Sequence, residues 1–222
     1  MRARILAAME WLGALFRRAH SKGEPSQTAS LARLNTGRWS RELLQHLEWQ
    51  RLEELCAAYF NELGYRTEVT HEHADGRAEL CLYSGDAQQA SILAHCKPWD
   101  PYPLGVKTLR EVRAAMTASI VNEGAMVTTG RFTPEAVAYA KKEKIDLVDG
   151  AALLAKLAAL PPEKSAALLK LATKGDFLTP TCPRCFIKMT GRKSTRQGRL
   201  FWGCRNYPQC KITFSSTAIS PA

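Results

Sequence analysis

Two pairs of cysteines near the C-terminus, CPRC at 182–185 and CRNYPQC at 204–210, constrain this chain more than any other feature. Two residues separate the first pair, eighteen separate Cys185 from Cys204, and five separate Cys204 from Cys210. Four thiolates in two close pairs can close a tetrahedron around one zinc ion, and a segment this short has too little apolar surface to fold without such a staple. Cys182, Cys185, Cys204 and Cys210 are therefore the expected zinc ligands of a small zinc-ribbon module over residues 179–214, followed by a tail, 215–222.

Charge points the same module at a polyanion. The chain carries a formal +10, and residues 179–214 hold Arg184, Lys188, Arg192, Lys193, Arg196, Arg199, Arg205 and Lys211 with no Asp or Glu. Residues 65–160 are close to neutral, so the basic excess is local, as a phosphate-backbone contact requires. Aromatic rings interleave with these cations. Exposed rings can stack on bases while the cations follow the backbone, a combination suited to single-stranded or distorted DNA. Arg192, Lys193, Arg196, Arg199, Trp202, Arg205 and Tyr207 are the expected DNA contacts, and Phe201 is expected to pack the small core instead.

The other three cysteines, Cys56, Cys81 and Cys96, are scattered through apolar segments. An odd total without a disulfide spacing reads as a reducing, cytoplasmic setting. The first twenty residues, MRARILAAMEWLGALFRRAH, contain an apolar run of about twelve residues interrupted by Glu10, too short for a spanning helix. Its basic flanks suit an interfacial amphipathic helix; a docking or frayed helix is the simpler reading and contact with a membrane surface the other.

With 222 residues the chain can build one sizeable core and a smaller appendage. Residues 21–38 read as a polar linker and 39–160 as the main domain. From Ser40 to Leu63 apolar residues recur at helical spacing, as one long helix or two short ones, and Gly64 stops them. Three strand patterns follow, at 65–70, 78–83 and 90–97, joined by Asp75-Gly76 and Ser84-Gly85-Asp86 turn chemistry, so they form an antiparallel meander. Then come a helix over about 105–121, a strand at 124–130, a helix from Thr133 to Lys142, a strand at 145–149 and a helix over 150–160, an alternation that adds parallel strands. The expected fold is α/β, a mixed sheet flanked by helices. Pro161-Pro162 closes it, and a connecting segment, 161–178, with a short helix broken at Gly175, leads to the cysteine module.

CPRC, FWGCRNYPQC and the basic loop between them resemble the four-cysteine zinc domain at the C-terminus of bacterial type IA DNA topoisomerases. The match covers about 35 residues. It implies DNA binding by this module and no topoisomerase activity, because the chain has no tyrosine-bearing catalytic domain of that kind.

The stretch ASILAHCKPW, 90–99, carries the chemistry of the main domain. Residues two apart on a strand share a face, so His95 and Lys97 point together, Cys96 points into the opposite layer, and a hairpin partner can bring Glu79 beside them. Metal-dependent nucleases need ligands converging on a divalent ion and a cation near the scissile phosphate. The segments LEELCAAYFNELGYRTEVT, DGRAEL, LAHCK and VTTGRFTPEAVAYAKKEKIDLVDGAALL together resemble the Mrr-type restriction endonuclease domain of the PD-(D/E)xK nuclease superfamily, over about residues 39–160, which implies a restriction-endonuclease-like fold.

By that resemblance Glu53 matches a metal-binding glutamate on the first helix, Glu79 stands where the family has its metal-binding aspartate, and His95 where it usually has glutamine or glutamate. Lys97 matches the catalytic lysine, and Asp75 the acid of a glycine-rich turn, written ADGR here. Glutamate in place of aspartate displaces the carboxylate, and a shift of about 1 Å can cost on the order of a hundredfold in rate unless the backbone compensates. Histidine offers nitrogen, which favours manganese over magnesium, and it could also act as a base. The resemblance implies a DNA endonuclease of restriction or repair type using Mg2+ or Mn2+, compatible with a homodimer; the alternative is a DNA-binding scaffold that has lost catalysis. Thr128, Thr129 and Gly130 read as a strand end feeding a turn and a helix cap.

Overall fold

The computed structural model describes residues 34–70, 79–98, 102–195 and 198–215. Helices α1 (Arg41–His46) and α2 (Trp49–Glu62) precede strands β1 (Tyr65–Thr70), β2 (Glu79–Ser84) and β3 (Ile92–Lys97). Then α3 (Val106–Ala118), β4 (Glu123–Thr128), α4 (Pro134–Lys142), β5 (Ile145–Val148), α5 (Gly150–Ala158) and α6 (Pro162–Ala172) alternate as the sequence pattern predicts. The strands form one sheet in the order β1-β2-β3-β4-β5. Pairing is antiparallel from β1 to β3 and parallel from β3 to β5.

Local chemistry explains most element ends. Gly64 adopts a φ of 91°, the left-handed conformation that stops α2. Thr133 caps α4 by accepting from the Ala136 N–H at 3.2 Å with Pro134 in the first turn, and Asp149 caps α5 by accepting from the Ala152 N–H at 2.8 Å. The stretch 40–63 is two helices, because Leu47 and Glu48 are extended and the Glu48 carboxylate caps the Gln50 N–H at 3.1 Å.

Helices cover both faces of the sheet. Leu80, Leu82, Ala94 and Val127 project from one face into a cluster with Leu52 and Leu55 of α2 and Leu153 of α5. Leu93 and Met126 project from the other into a cluster with Leu109 and Met116 of α3 and Ala136 of α4. The segment after the two prolines is part of this packing: Leu168 and Ala172 of α6, and Phe177 beyond it, lie in the first cluster with Leu34. Each large apolar side chain so buried contributes about 1.5–3 kcal/mol, so 161–178 is anchored on the main core rather than strung between modules.

The cysteine module is a three-stranded antiparallel sheet, β6 (Thr190–Lys193), β7 (Leu200–Gly203) and β8 (Thr213–Ser215), in that order. Its core holds Cys182, Met189, Cys204 and Cys210, against which Ile187, Trp202, Ile212 and Phe214 pack. The rings packed on this core are Trp202 and Phe214, not the expected Phe201. Trp202 pairs with Phe214 and Gly191 across the sheet, so it shares their face, while Phe201 stands on the other with its partner Arg192. Among the described residues no helix is long and apolar enough to cross a membrane. Residues 1–20, Asp75 and Arg196 lie outside the described residues.

Candidate active site and cysteine module

Glu79 opens β2 and His95 lies near the end of β3. The register pairs Leu80 with Ala94 and Cys81 with Leu93, which sets Glu79 across from His95 on the sheet face that Leu93 shares. Nε2 of His95 is 3.8 Å from Oε1 of Glu79, and their side chains are only 12% and 10% exposed. Lys97 follows two residues on, exposed at the strand end and in register with Thr128 of β4. Strand periodicity and register thus put an acid, an imidazole and a cation on one face of the sheet.

Glu53 belongs to the α2 layer. Its side chain is buried, its Oε2 atom makes no hydrogen bond, and burial, with help from the charges of Glu48 and Glu54, pushes its carboxyl up from 4.5 to about 8. Its charge is also felt at Cys96, whose thiol is raised above the usual range chiefly by a hydrogen bond with Cys56 and then by burial. Glu53 therefore approaches β3 from the side Cys96 faces, while Glu79 and His95 meet on the other side. A buried carboxyl with an unpartnered oxygen and an upward-shifted pKa is a group for which a cation would be a fitting partner.

At the end of β4 Thr128 and Thr129 are both buried. The Gly130 N–H donates to Thr128 Oγ1 at 3.0 Å, the turn chemistry expected there, while Thr129 Oγ1 is buried without a hydrogen-bond partner.

In the cysteine module the Sγ atoms of Cys182, Cys185, Cys204 and Cys210 all lie within 4.8 Å of one another, and those of Cys182 and Cys210 are 3.7 Å apart. Thiolates at about 2.3 Å from a tetrahedral zinc would sit about 3.8 Å apart, so the donor set fits that ion. The Asn206 N–H points at Cys204 Sγ at 3.4 Å, and the backbone N–H of Ile212 draws the Cys210 thiol down to about 7, toward the thiolate form that binds metal. Burial acts the opposite way on Cys204, raising its thiol to about 12.

The basic residues are not all equivalent. Arg192 lies along Gly203, where an added Cβ would meet its Cδ at 3.0 Å, and its guanidinium sits 5.5 Å from the centre of the exposed Tyr207 ring. Lys193, Arg199 and Arg205 are exposed, whereas Trp202 turns its ring into the core. Lys188, counted in the basic surface by sequence, is used internally: its Nζ donates to Glu48 Oε1 at 3.1 Å and to the Thr179 carbonyl at 2.9 Å. Sequence reading missed this contact because the partners are 140 residues apart. The only local signal was an acid placed to cap the helix that starts at Trp49.

The pattern of a known family, described as restriction endonuclease, matches residues 44–157. No curated protein matches the chain. Among solved structures, the DNA modification-dependent restriction endonuclease AspBHI is similar at 18% identity and a TM-score of 0.44, over 68% of this chain and 41% of that one. The MspJI restriction endonuclease, solved in complex with a 27-mer oligonucleotide, is similar at 17% identity and a TM-score of 0.39, over 73% of this chain and 39% of that one. The chain thus spans about two-fifths of the length of these structures.

Proposed function

The chain belongs to the restriction endonuclease family through residues 44–157, and from that premise we propose that it is a DNA endonuclease whose site lies at the ends of β2 and β3. The observation that carries this reading is the buried Glu79–His95 pair at 3.8 Å with Lys97 on the same strand face. Glu79 and His95 would hold a divalent ion; Glu53, expected as a further ligand, comes to β3 from the opposite face with α2 and is not placed beside them. Such an ion supplies Lewis-acid polarisation of the phosphate and a more acidic water. The imidazole nitrogen favours manganese over magnesium at this position. Lys97, free to reach solvent, would orient the attacking water and offset the negative charge that builds on the phosphate oxygens.

The reading divides the chain into a nuclease domain over 39–160 and a zinc-binding module over 179–214, with 161–178 packed on the nuclease core. Zinc would be held by Cys182, Cys185, Cys204 and Cys210. Arg192, Lys193, Arg196, Arg199 and Arg205 would follow the phosphates of single-stranded, branched or modified DNA, with Tyr207 offering a face to a base. Trp202 supports this surface from beneath, since its ring packs against the cysteines. The test is incubation of the full chain with supercoiled and with single-stranded DNA in magnesium, in manganese and in a chelator. Strand breaks that need the divalent ion are expected. Intact DNA under every condition, despite binding, would make the chain a scaffold that keeps the fold without the chemistry.

A further inference from the structure

A groove of about 430 Å³ opens between the two cysteine turns of the small module, lined by Arg184 and Cys185 of the first turn and by Asn206, Gln209 and Cys210 of the second. Main-chain bonds fix both walls: the Phe186 N–H donates to the Cys182 carbonyl at 2.8 Å, and the Cys210 N–H to the Asn206 carbonyl at 2.9 Å. The Asn206 N–H points at Cys204 Sγ, so the backbone of that residue is used and its side-chain amide is not. The side chains of Arg184, Asn206 and Gln209 are exposed and make no hydrogen bond among the described residues. An exposed ring follows each wall in sequence, Phe186 directly after Cys185 and Tyr207 directly after Asn206, at 49% and 60% exposure. Phe186 has a φ of 52°, a left-handed conformation that glycine takes at little cost and a bulky side chain does not. With its ring half exposed, core packing does not offset that cost.

A duplex is read by convex elements that enter its grooves, whereas a concave pocket receives a base only after it has left the stack. Sites for small molecules span about 300–1,000 Å³, and the lower part of that range suits one nucleotide. The lining matches one too. An Asn or Gln amide presents a donor beside an acceptor, the complement of the N6/N7 edge of adenine, and the donor-only guanidinium of Arg184 suits a phosphate. No carboxylate stands in residues 179–214 to repel that phosphate. We propose that the groove between the cysteine turns is a subsite for one unstacked nucleotide of single-stranded DNA. Asn206 and Gln209 read the base edge, Arg184 holds the phosphate, and Phe186 and Tyr207 stack on the neighbouring bases. The inference rests on the reading of this module as a DNA contact, and adds to it where a strand is held and what is read.

The experiment measures binding of short labelled oligo(dA), oligo(dC) and oligo(dT) to the full chain by fluorescence anisotropy, with no magnesium or manganese added, so that binding is read without cleavage. Thermal unfolding of each variant is followed alongside. Wild type is expected to bind oligo(dA) about tenfold more tightly than oligo(dT). Asn206→Ala/Gln209→Ala should bring the two within about twofold of each other by losing oligo(dA) affinity alone. Arg184→Ala should weaken all three sequences alike, about threefold to tenfold, and lower the slope of log affinity against log salt by about one. Phe186→Gly should weaken all three about fivefold while raising the thermal midpoint, since glycine relieves the left-handed backbone; a ring that only supported the fold would lower it. An oligo(dA) preference that survives in the double variant would overturn the subsite, because stacking on exposed rings would then carry it alone. Should wild type bind no oligonucleotide, the DNA reading of the module falls and the subsite with it. Should it bind all of them and each variant match it, the DNA reading stands and the subsite is overturned.

Discussion

At Glu53 burial decides what the carboxyl can do. Its pKa of about 8 in the folded chain lies above the ordinary 4.5, chiefly through desolvation and then through Glu48 and Glu54. Between those two values the folded state keeps a proton that the unfolded chain has released, so stability falls as pH rises. The stabilisation is complete below about pH 4.5 and is lost by about pH 8, a span worth on the order of 4 kcal/mol. In metal-free protein, urea unfolding should give a lower midpoint at pH 7.5 than at pH 5.5. Glu53→Gln should flatten that difference and raise stability at pH 7.5 by about 2 kcal/mol; a variant with the wild-type slope would show that another group is responsible. Glu53 was identifiable as a site candidate from family resemblance, but not its burial, because a glutamate after Leu52 in an amphipathic helix has no local mark of being enclosed.

At the scale of elements, the order and kind of most segments were legible because each rests on local chemistry. Alternation and turn residues place three strands within two residues of where they lie, and Thr133-Pro134 and Asp149 announce their helices. Where the pattern was ambiguous, partners distant in sequence decided. Apolar periodicity runs through Leu47 and Glu48, yet the helix breaks there, where Thr181 and Lys188 hold the Glu48 side chain. The adjacent rings of Phe201 and Trp202 likewise could not be assigned to a face until the register with β8 was known. Close packing of elements can be tested at two glycines. A Cβ on Gly150 would lie 2.3 Å from the backbone oxygen of Thr129, whereas one on Gly124 would meet the flexible Met116 side chain, Sδ at 2.5 Å. Gly150→Ala should therefore cost about 2–3 kcal/mol and Gly124→Ala clearly less, read as shifts in thermal unfolding. Equal costs would show that the β4–α5 contact is softer than its geometry implies.

For the whole molecule, the two modules share a boundary made of buried polar contacts, so their stabilities should be linked. Metal analysis of the purified chain is expected to find about one zinc per molecule, and Cys204→Ser to abolish it. The same substitution should loosen α2, because the loop that carries Thr181 and Lys188 loses its anchor. Retention of zinc in Cys204→Ser would remove that cysteine from the ligand set. The pairing of Glu79 with His95 was readable from a two-residue strand period, whereas the joining of the modules was not, since it depends on residues about 130 to 140 positions apart. The charge distribution alone suggested a separate basic appendage; the fold turns Lys188 inward and leaves Arg184, Lys193, Arg199, Arg205 and Lys211 exposed.

The most direct measurement of the central claim sets wild type beside Lys97→Ala, with DNA binding and Mn2+-dependent strand cleavage followed on the same samples. Lys97 is exposed at the end of β3, so its loss should leave the fold and DNA affinity within about twofold of wild type, while cleavage falls on the order of a hundredfold or more. Cleavage by Lys97→Ala at the wild-type rate would contradict a nuclease site at the ends of β2 and β3.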